Sequence, residues 1–301
     1  MCLVLSPITQ RRPDQPLSAA TVMSLLVASL NSGSNGNCYY IGNQDEAILI
    51  DGGISCRETE RRMKRLELSI KRVKAVFVSH EHADHIYGVP NLSKKHQLPV
   101  YITNDTLRGG RLRLSENLTF PFSPYIPIRI GSLSVTAFPK FHDANDPHSF
   151  IVSDHEVNVG VFTDIGRSCD HVIKHFSICL AAFLESNYDE EMLETGHYPF
   201  SLKNRIRDGR GHLSNTQALQ LFMNHRPTFM THLFLSHLSR NNNSPKIVRN
   251  LFNRIAGKTK IIVAPRDSET QLYHIRNKPG FLSQSIQVPE KPPQVQLSLF
   301  Q

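Results

Sequence analysis

Short apolar runs separated by turn residues predict many buried strands along the chain. Runs of about four to eight apolar residues bounded by Gly, Pro, Asn, Asp or Ser are typical of strands inside a sheet or sandwich. Such runs are SLLVASL (24–30), CYYIG, EAILIDGG, VKAVFVS (73–79), PVYIT, LSVTAFPKFH, HSFIVSD, NVGVFTDIG, LAAFLES, THLFLSH, TKIIVAP and TQLYHI.

Helices are predicted between these strands. Ser55 is a suitable N-cap for SCRETERRMKRLEL, and Ser214 or Asn215 begins the amphipathic stretch NTQALQLFMNHR. IYGVPNLSKKH, SCDHVIKHFSIC and SPKIVRNLFNRIA have similar character, and no internal repeat is present. Many short strands interspersed with helices predict one α/β sandwich domain over residues 23–276.

The two ends of the chain differ from this pattern. Residues 1–22 lack the ordered features of a signal peptide, so we expect a disordered extension; a start codon assigned too far upstream is the alternative. Residues 277–301 have the polar, proline-bearing composition of a linker and end in QLSLFQ.

Composition is that of an ordinary globular protein, with 40% hydrophobic and 20% charged residues. No apolar stretch has the length of a bilayer-spanning helix. Five scattered cysteines without a CxxC pair indicate free thiols in a reducing compartment, not disulfides or a thiolate zinc site. We therefore expect a cytoplasmic protein.

The formal charge of +8 favours polyanionic partners, nucleic acid above all. Basic residues are concentrated between Arg57 and Lys74 and again in KNRIRDGRGH (203–212). A solvated helix face or loop is the alternative explanation for either cluster.

The stretch SHEHADH is the most specific feature of the sequence. It places His80, His82, Asp84 and His85 directly after a predicted buried strand, and imidazole and carboxylate groups are ligands for divalent metals. Four such groups exceed the needs of one tetrahedral catalytic zinc and therefore suggest two ions. A chance cluster in a chain with 15 histidines is the alternative.

HxHxDH after an apolar strand resembles the signature of the metallo-β-lactamase fold, an αββα sandwich. The resemblance implies three later ligands at strand ends, and the sequence offers His142, Asp164 and His237 there. It assigns His80, His82 and His142 to one ion and Asp84, His85 and His237 to the other, with Asp164 bridging. His148 and His232 compete with His142 and His237, but they lie at the start and in the middle of predicted strands. The implied cofactors are two divalent metal ions per chain, Zn²⁺ or Mn²⁺.

Two divalent ions roughly 3.5–4 Å apart activate a shared water and stabilise both oxygens of an in-line displacement. This arrangement suits phosphodiesters, but it also serves lactams, thioesters and lactones, so the fold does not define the substrate.

Two local features favour a phosphate-containing substrate. The loop NSGSNGN (31–37) can hold an anion, with Ser32, Ser34, Asn35 and Asn37 as candidate contacts; a plain hairpin turn is the alternative. RIRDGRGHLSN places Arg210 and His212 just before a helix that begins near Ser214, where the helix N-terminus attracts phosphate.

Six motifs in order resemble the bacterial YycJ/WalJ-like branch of the fold: SLNSGSNGN, SHEHADHIYG, FHDANDPHSF, ESNYDEEML, RGHLSN and LSHLSRNNNSP. This resemblance implies a 5′-to-3′ DNA exonuclease linked to mismatch repair, in which a hydroxide bridging the metals attacks the phosphodiester. It implies catalytic roles for Asp84 and His212 and places Glu185 and Asn187 near the site. For ESNYD, a strand end followed by a helix cap is the alternative.

Other functions remain open from the residues alone. A small-molecule hydrolase of the same fold would act on a thioester, lactone or cyclic phosphodiester in a closed pocket. The inserted domain of RNA-processing relatives does not fit within residues 165–236, although RNA remains a possible substrate. A non-enzymatic DNA-binding adaptor is the third hypothesis.

The C-terminal peptide resembles the short motif with which bacterial repair proteins bind the DNA sliding clamp. Gln296, Leu297, Leu299 and Phe300 would enter a preformed groove, and the preceding linker would raise the local concentration. A frayed terminus or a last strand docked on the core is the alternative.

Overall fold

Residues 24–277 are described by a computed structural model of the chain. Its strands are β1 (Ser24–Asn31), β2 (Cys38–Gly42), β3 (Ala47–Ile50), β4 (Val73–Phe77), β5 (Val100–Tyr101), β6 (Thr119–Phe120), β7 (Ile128–Ile130), β8 (Leu133–Pro139), β9 (His148–Asp154), β10 (Val157–Phe162), β11 (Ala181–Glu185), β12 (His232–Ser236), β13 (Lys260–Val263) and β14 (Tyr273–Arg276). Its α-helices are α1 (Cys56–Arg65), α2 (Ala83–Ile86), α3 (Val89–His96), α4 (Asn104–Gly109), α5 (Asp170–Phe176), α6 (Glu190–Thr195), α7 (Phe200–Arg207), α8 (Asn215–His225) and α9 (Pro245–Asn253).

The strands form two seven-stranded sheets. Their orders are β14-β1-β2-β3-β4-β5-β6 and β13-β12-β11-β10-β9-β8-β7. Strands β3 to β6 are parallel to one another, and so are β10 to β13. The carboxyl ends of parallel strands meet at one edge of each sheet, which is where ligands bind in open α/β sheets.

Three apolar layers hold the two sheets and the helices together. Alternate residues of β1 show the division: Leu25 and Val27 belong to the layer between the sheets, whereas Leu26 and Leu30 face the helices of the first sheet. Helices α5, α8 and α9 cover the second sheet around Phe222. The predicted αββα sandwich is therefore confirmed.

The predicted elements are found with adjusted ends. The Ser55 hydroxyl accepts a bond from the Glu58 amide and caps α1, while Ser214 forms a capping box with Gln217 at α8. IYGVPNLSKKH contains the end of α2 and the whole of α3, separated at Gly88. A Cβ at Gly88 would lie 1.9 Å from the Ile54 carbonyl, so this close backbone approach requires glycine.

Two predicted segments cannot be compared with these elements. The N-terminal extension and the C-terminal peptide lie outside the described residues. Within residues 24–277, no helix combines the length and apolar character needed to cross a bilayer. Cys38, Cys56, Cys169 and Cys179 are free thiols.

Candidate metal centre

Strand ends gather the predicted ligands at one edge of the sandwich. His80 follows β4, His142 follows β8 and Asp164 follows β10, while His237 comes directly after β12. Helix α2 and its N-cap add His82, Asp84 and His85. Residues far apart in sequence therefore meet because the strand ends that carry them lie at the same edge of the sandwich.

Three histidines form a first cluster. The His82 Nδ1 atom lies 3.2 Å from His80 Nε2 and 3.3 Å from His142 Nε2. His142 donates its Nδ1–H to the Gly211 carbonyl at 2.9 Å, so its Nε2 lone pair faces the other two rings. Nitrogen lone pairs that converge at this distance repel one another unless a cation lies among them, which fits a divalent metal.

A second cluster contains Asp84, His85 and His237. Asp84 Oδ2 lies 3.6 Å from the Nε2 atoms of both histidines. His85 donates its Nδ1–H to Asp51 Oδ2 at 2.7 Å, which again turns the Nε2 lone pair inward. A metal-binding histidine held by a carboxylate is the usual arrangement at such sites.

Asp164 connects the two clusters. Its Oδ2 is 3.0 Å from His85 Nε2, and its Oδ1 is 3.8 Å from His142 Nε2. Asp164 Oδ2 and His237 Nε2 are buried without a hydrogen-bond partner in the described part of the chain. Buried polar atoms are normally satisfied, and a divalent cation would satisfy both. The seven predicted ligands therefore fit a divalent metal site.

The backbone is strained at this edge. Asp51, Asp164 and His237 have φ angles of 61°, 54° and 55°. Left-handed conformations of non-glycine residues cost on the order of 1–3 kcal/mol each and are common at functional sites. The fold thus maintains three unfavourable conformations that aim a ligand or its supporting carboxylate at the cluster.

The two clusters differ in electrostatics. Burial lowers the pKa of His142 to about 4 and that of His80 well below its usual value, so positive charge is disfavoured on these two histidines of the first cluster. Burial also opposes the charging of His237, yet Asp164, Asp84 and Glu185 raise its pKa to about 10. Burial would raise the pKa of Asp84, but the adjoining His85 and His237 lower it to about 2. The carboxylates around the second cluster therefore favour positive charge at that position, which suits a bound cation.

Glu185 forms a hydrogen bond with His237 of the second cluster. Its Oε1 accepts bonds from Nδ1 of His237 and of His212, both at 2.8 Å, and its Oε2 accepts the Ile165 amide at 2.7 Å. Glu185 is fully buried at the end of β11. Asn187 donates to the His237 carbonyl at 2.8 Å. The glutamate therefore orients both a ligand and the adjacent histidine.

A pocket of about 420 Å³ opens onto the cluster. Among the predicted substrate contacts, Ser34, Asn187 and His212 line it. The Nδ1 of His212 is engaged by Glu185, so its Nε2 remains for a bound molecule.

The other predicted contacts have structural hydrogen bonds. The Ser32 hydroxyl accepts the His237 amide, Asn37 bonds Asp84 and the Gly33 amide, and Ser214 caps α8. Asn35 binds the Arg266 carbonyl, and the exposed Arg210 is outside the pocket lining. In the 31–37 loop, the Gly33, Gly36 and Asn37 amides are already bonded within the protein.

The competing histidines lie apart from the cluster. His148 bonds the Asp146 carbonyl and packs edge-on against Phe122. His232 packs against Tyr273.

Two further residues at this site were not predicted from the sequence. Asp51 directly follows β3, and this position after a buried strand was the available signal. Arg205 extends from α7 into the pocket, where its Nε lies 2.5 Å from Asp143 Oδ2. The basic stretch 203–212 contains it, but nothing in the sequence distinguishes Arg205 from its basic neighbours.

Comparisons with known proteins agree with this geometry. A model of the metallo-beta-lactamase superfamily matches residues 32–176. The chain is 34% identical over 230 residues to exodeoxyribonuclease YycJ of Bacillus anthracis, covering 75% of this chain and 87% of that protein. It is 26% identical over 235 residues to exodeoxyribonuclease WalJ of Streptococcus pneumoniae, with the same shares covered. The metallo-beta-lactamase fold protein YhfI of Bacillus subtilis has the same fold, with a TM-score of 0.66 at 16% identity over 84% of this chain and 100% of that one.

Proposed function

Because this chain belongs to the metallo-beta-lactamase superfamily, in the family of the YycJ and WalJ exodeoxyribonucleases, we propose that it degrades DNA from its ends with two divalent metal ions. It is a metal-dependent hydrolase that acts on phosphodiester bonds. The observation that carries the proposal is the clustering of seven candidate metal-ligand side chains, four of which line one pocket together with His212 and Arg205.

The seven candidate ligands would be divided between two metal ions. His80, His82 and His142 would hold one ion, Asp84, His85 and His237 the other, and Asp164 would bind both. When bound, the ions supply Lewis acidity and an activated water. Zn²⁺ and Mn²⁺ are both compatible with this mixed nitrogen and oxygen donor set.

His212 is the proposed proton donor. Its Nδ1 is fixed by Glu185 and its ring lies at the pocket, so its Nε2 is the atom that would transfer a proton to the leaving oxygen. General acids of this kind contribute about 10²–10⁴-fold to a rate.

Arg205 is the proposed phosphate contact. Its guanidinium is paired with Asp143, the neighbour of His142, and its side chain is 60% exposed. A phosphate entering the pocket would exchange with Asp143 for this guanidinium, which suits Arg because of its planar donor geometry.

The experiment is degradation of end-labelled DNA by the full-length chain. With Mn²⁺ or Zn²⁺ we expect mononucleotide release, and comparison of 5′- and 3′-labelled strands tests the proposed 5′-to-3′ polarity. Cleavage of only thioesters, lactones or cyclic phosphodiesters would contradict the DNA proposal.

We further propose that the enzyme acts in mismatch repair and binds the sliding clamp through Gln296, Leu297, Leu299 and Phe300. The proposal is supported by the peptide sequence alone. Deletion of residues 296–301 should abolish clamp binding and leave the degradation of short oligonucleotides unchanged. Clamp binding that persists after the deletion would contradict it.

A further inference from the structure

A cysteine, a glutamate and a histidine meet on the helix layer of the first sheet, and none of them is a proposed ligand of the metal centre. Cys56 and Glu60 lie one turn apart on α1, and His96 is the last residue of α3. Their candidate ligand atoms all lie within 4.8 Å of one another. We propose that these three side chains form a separate zinc site that joins α1 to α3.

The distances match those of a nearly assembled site. Glu60 Oε1 is 3.6 Å from Cys56 Sγ and 2.6 Å from His96 Nε2. A tetrahedral zinc with bonds of about 2.0–2.3 Å separates its ligand atoms by about 3–4 Å, so only small side-chain movements are needed. Three protein ligands leave a fourth position for water.

The surroundings also suit a metal. Cys56 is 8% exposed and packs in the apolar layer beneath α1, whereas Glu60 and His96 lie at the edge of solvent. The thiol therefore has a fixed position, and an ion can reach it from the carboxylate side. Thiolate and imidazole are the donors that zinc prefers.

One group opposes cation binding. The Lys95 ammonium lies 2.7 Å from Glu60 Oε1 and 2.9 Å from Oε2. Its side chain is 59% exposed, so it can move into water at little cost. On zinc binding, the Cys56 thiol would release its proton to solvent, and His96 Nε2 would give up the hydrogen that it donates to Glu60, which leaves the ring proton on Nδ1. Lys95 would leave the carboxylate.

An ion-pair cluster of Glu60 with Lys95 and His96 is the competing explanation, and Co²⁺ distinguishes the two. Cobalt at the main metal centre would have only nitrogen and oxygen ligands from the proposed His and Asp side chains. A thiolate-to-cobalt charge-transfer band in the near ultraviolet therefore reports a cysteine site alone. The probe is Co²⁺ added to the metal-free full-length protein with a non-thiol reductant present.

We expect this band in the native protein, displaced by Zn²⁺, and its loss in Cys56→Ser. Cys179→Ser, at a buried thiol elsewhere, should keep it. His96→Gln should raise the Co²⁺ concentration that saturates the band. Lys95→Met should lower that concentration by roughly two- to fivefold, the effect of removing one exposed like charge.

No thiolate band in the native protein at saturating Co²⁺ would overturn the proposal. So would a band that persists in Cys56→Ser, or one that His96→Gln leaves unchanged. The readout is independent of DNA degradation, so its failure leaves the proposed nuclease function standing, and the reverse also holds.

Discussion

The buried Glu185 carboxylate lies 2.8 Å from Nδ1 of His237 and fixes the ring of a proposed metal ligand. The same oxygen accepts the Nδ1–H of His212, the proposed proton donor. Burial would raise the pKa of Glu185, but the adjacent His212 and His237 lower it to about 2, so it remains a carboxylate at neutral pH. In the proposed mechanism, metal binding by His237 and proton transfer by His212 would therefore be coupled through this one side chain.

Glu185→Gln should weaken metal binding and slow turnover together. The amide is nearly the same size but carries no charge, and it cannot accept both Nδ1–H groups as strongly. Loss of such an outer carboxylate costs about 10–100-fold in metal affinity or activity. Metal titration and kcat measured at saturating metal separate the two effects. Unchanged metal affinity together with unchanged kcat would show that Glu185 has no positioning role.

Arg205→Ala should weaken DNA binding more than it slows chemistry. Removal of one phosphate contact should reduce the slope of log affinity against log salt by about 0.7–0.9. Arg210→Ala, at an exposed arginine outside the pocket lining, is the matched control. Binding isotherms at several salt concentrations provide the measurement. If the slope of log affinity against log salt is equal for the native protein and Arg205→Ala, Arg205 does not contact a phosphate of the DNA.

Gly53→Ala should destabilise the protein and disturb the metal centre, whereas Gly52→Ala should be milder. A Cβ at Gly53 would lie 1.6 Å from the backbone carbonyl of Asp84, a rigid neighbour and the backbone of a proposed ligand. At Gly52 the nearest atom is a Val89 methyl at 3.0 Å. Overpacking costs typically about 1–3 kcal/mol. Urea unfolding and metal titration of both variants test this, and equal losses would contradict it.

His232 should make stability depend on pH below neutrality. Burial and the Lys260 ammonium lower its pKa to about 4 from 6.5. As pH falls from 6.5 towards 4, the unfolded chain binds a proton that the folded protein resists, so the free energy of unfolding decreases.

The contribution of neutral His232 is thus present above pH 6.5 and lost as pH falls towards its folded pKa. Partial exposure limits it to roughly 1–2 kcal/mol. In EDTA, His232→Gln should lose less stability between pH 7 and pH 4.5 than the native protein. If urea unfolding shows the same loss of stability in His232→Gln and in the native protein over this pH range, His232 does not titrate in this way.

Hydrophobic periodicity predicts the elements that bury an apolar stripe and misses those that do not. Helix α7 has no fully buried residue, and neither do β6 and β7, so each is too short or too exposed to give a clear periodic signal. Because α7 was not predicted, the position of Arg205 could not be predicted either.

The ligands could be predicted because each marks the end of a strand or follows the HxHxDH pattern, both local features. Asp51 holds the ring of His85, and Glu185 holds the ring of His237. These hydrogen bonds join residues that are 34 and 52 positions apart in the sequence. Such contacts form only when the sheets are assembled. The Cys56, Glu60 and His96 cluster likewise comes from two helices, so the spacing of cysteines alone did not indicate it.

The most direct test is release of nucleotides from end-labelled DNA by native protein, His82→Ala and His232→Gln, each loaded with Mn²⁺ or Zn²⁺. His82 faces both other histidines of the first cluster, while His232 packs against Tyr273 away from it. We predict degradation by the native protein and by His232→Gln, and none by His82→Ala. Native protein that leaves DNA intact with every metal tried, or His82→Ala that retains full activity, would contradict the account.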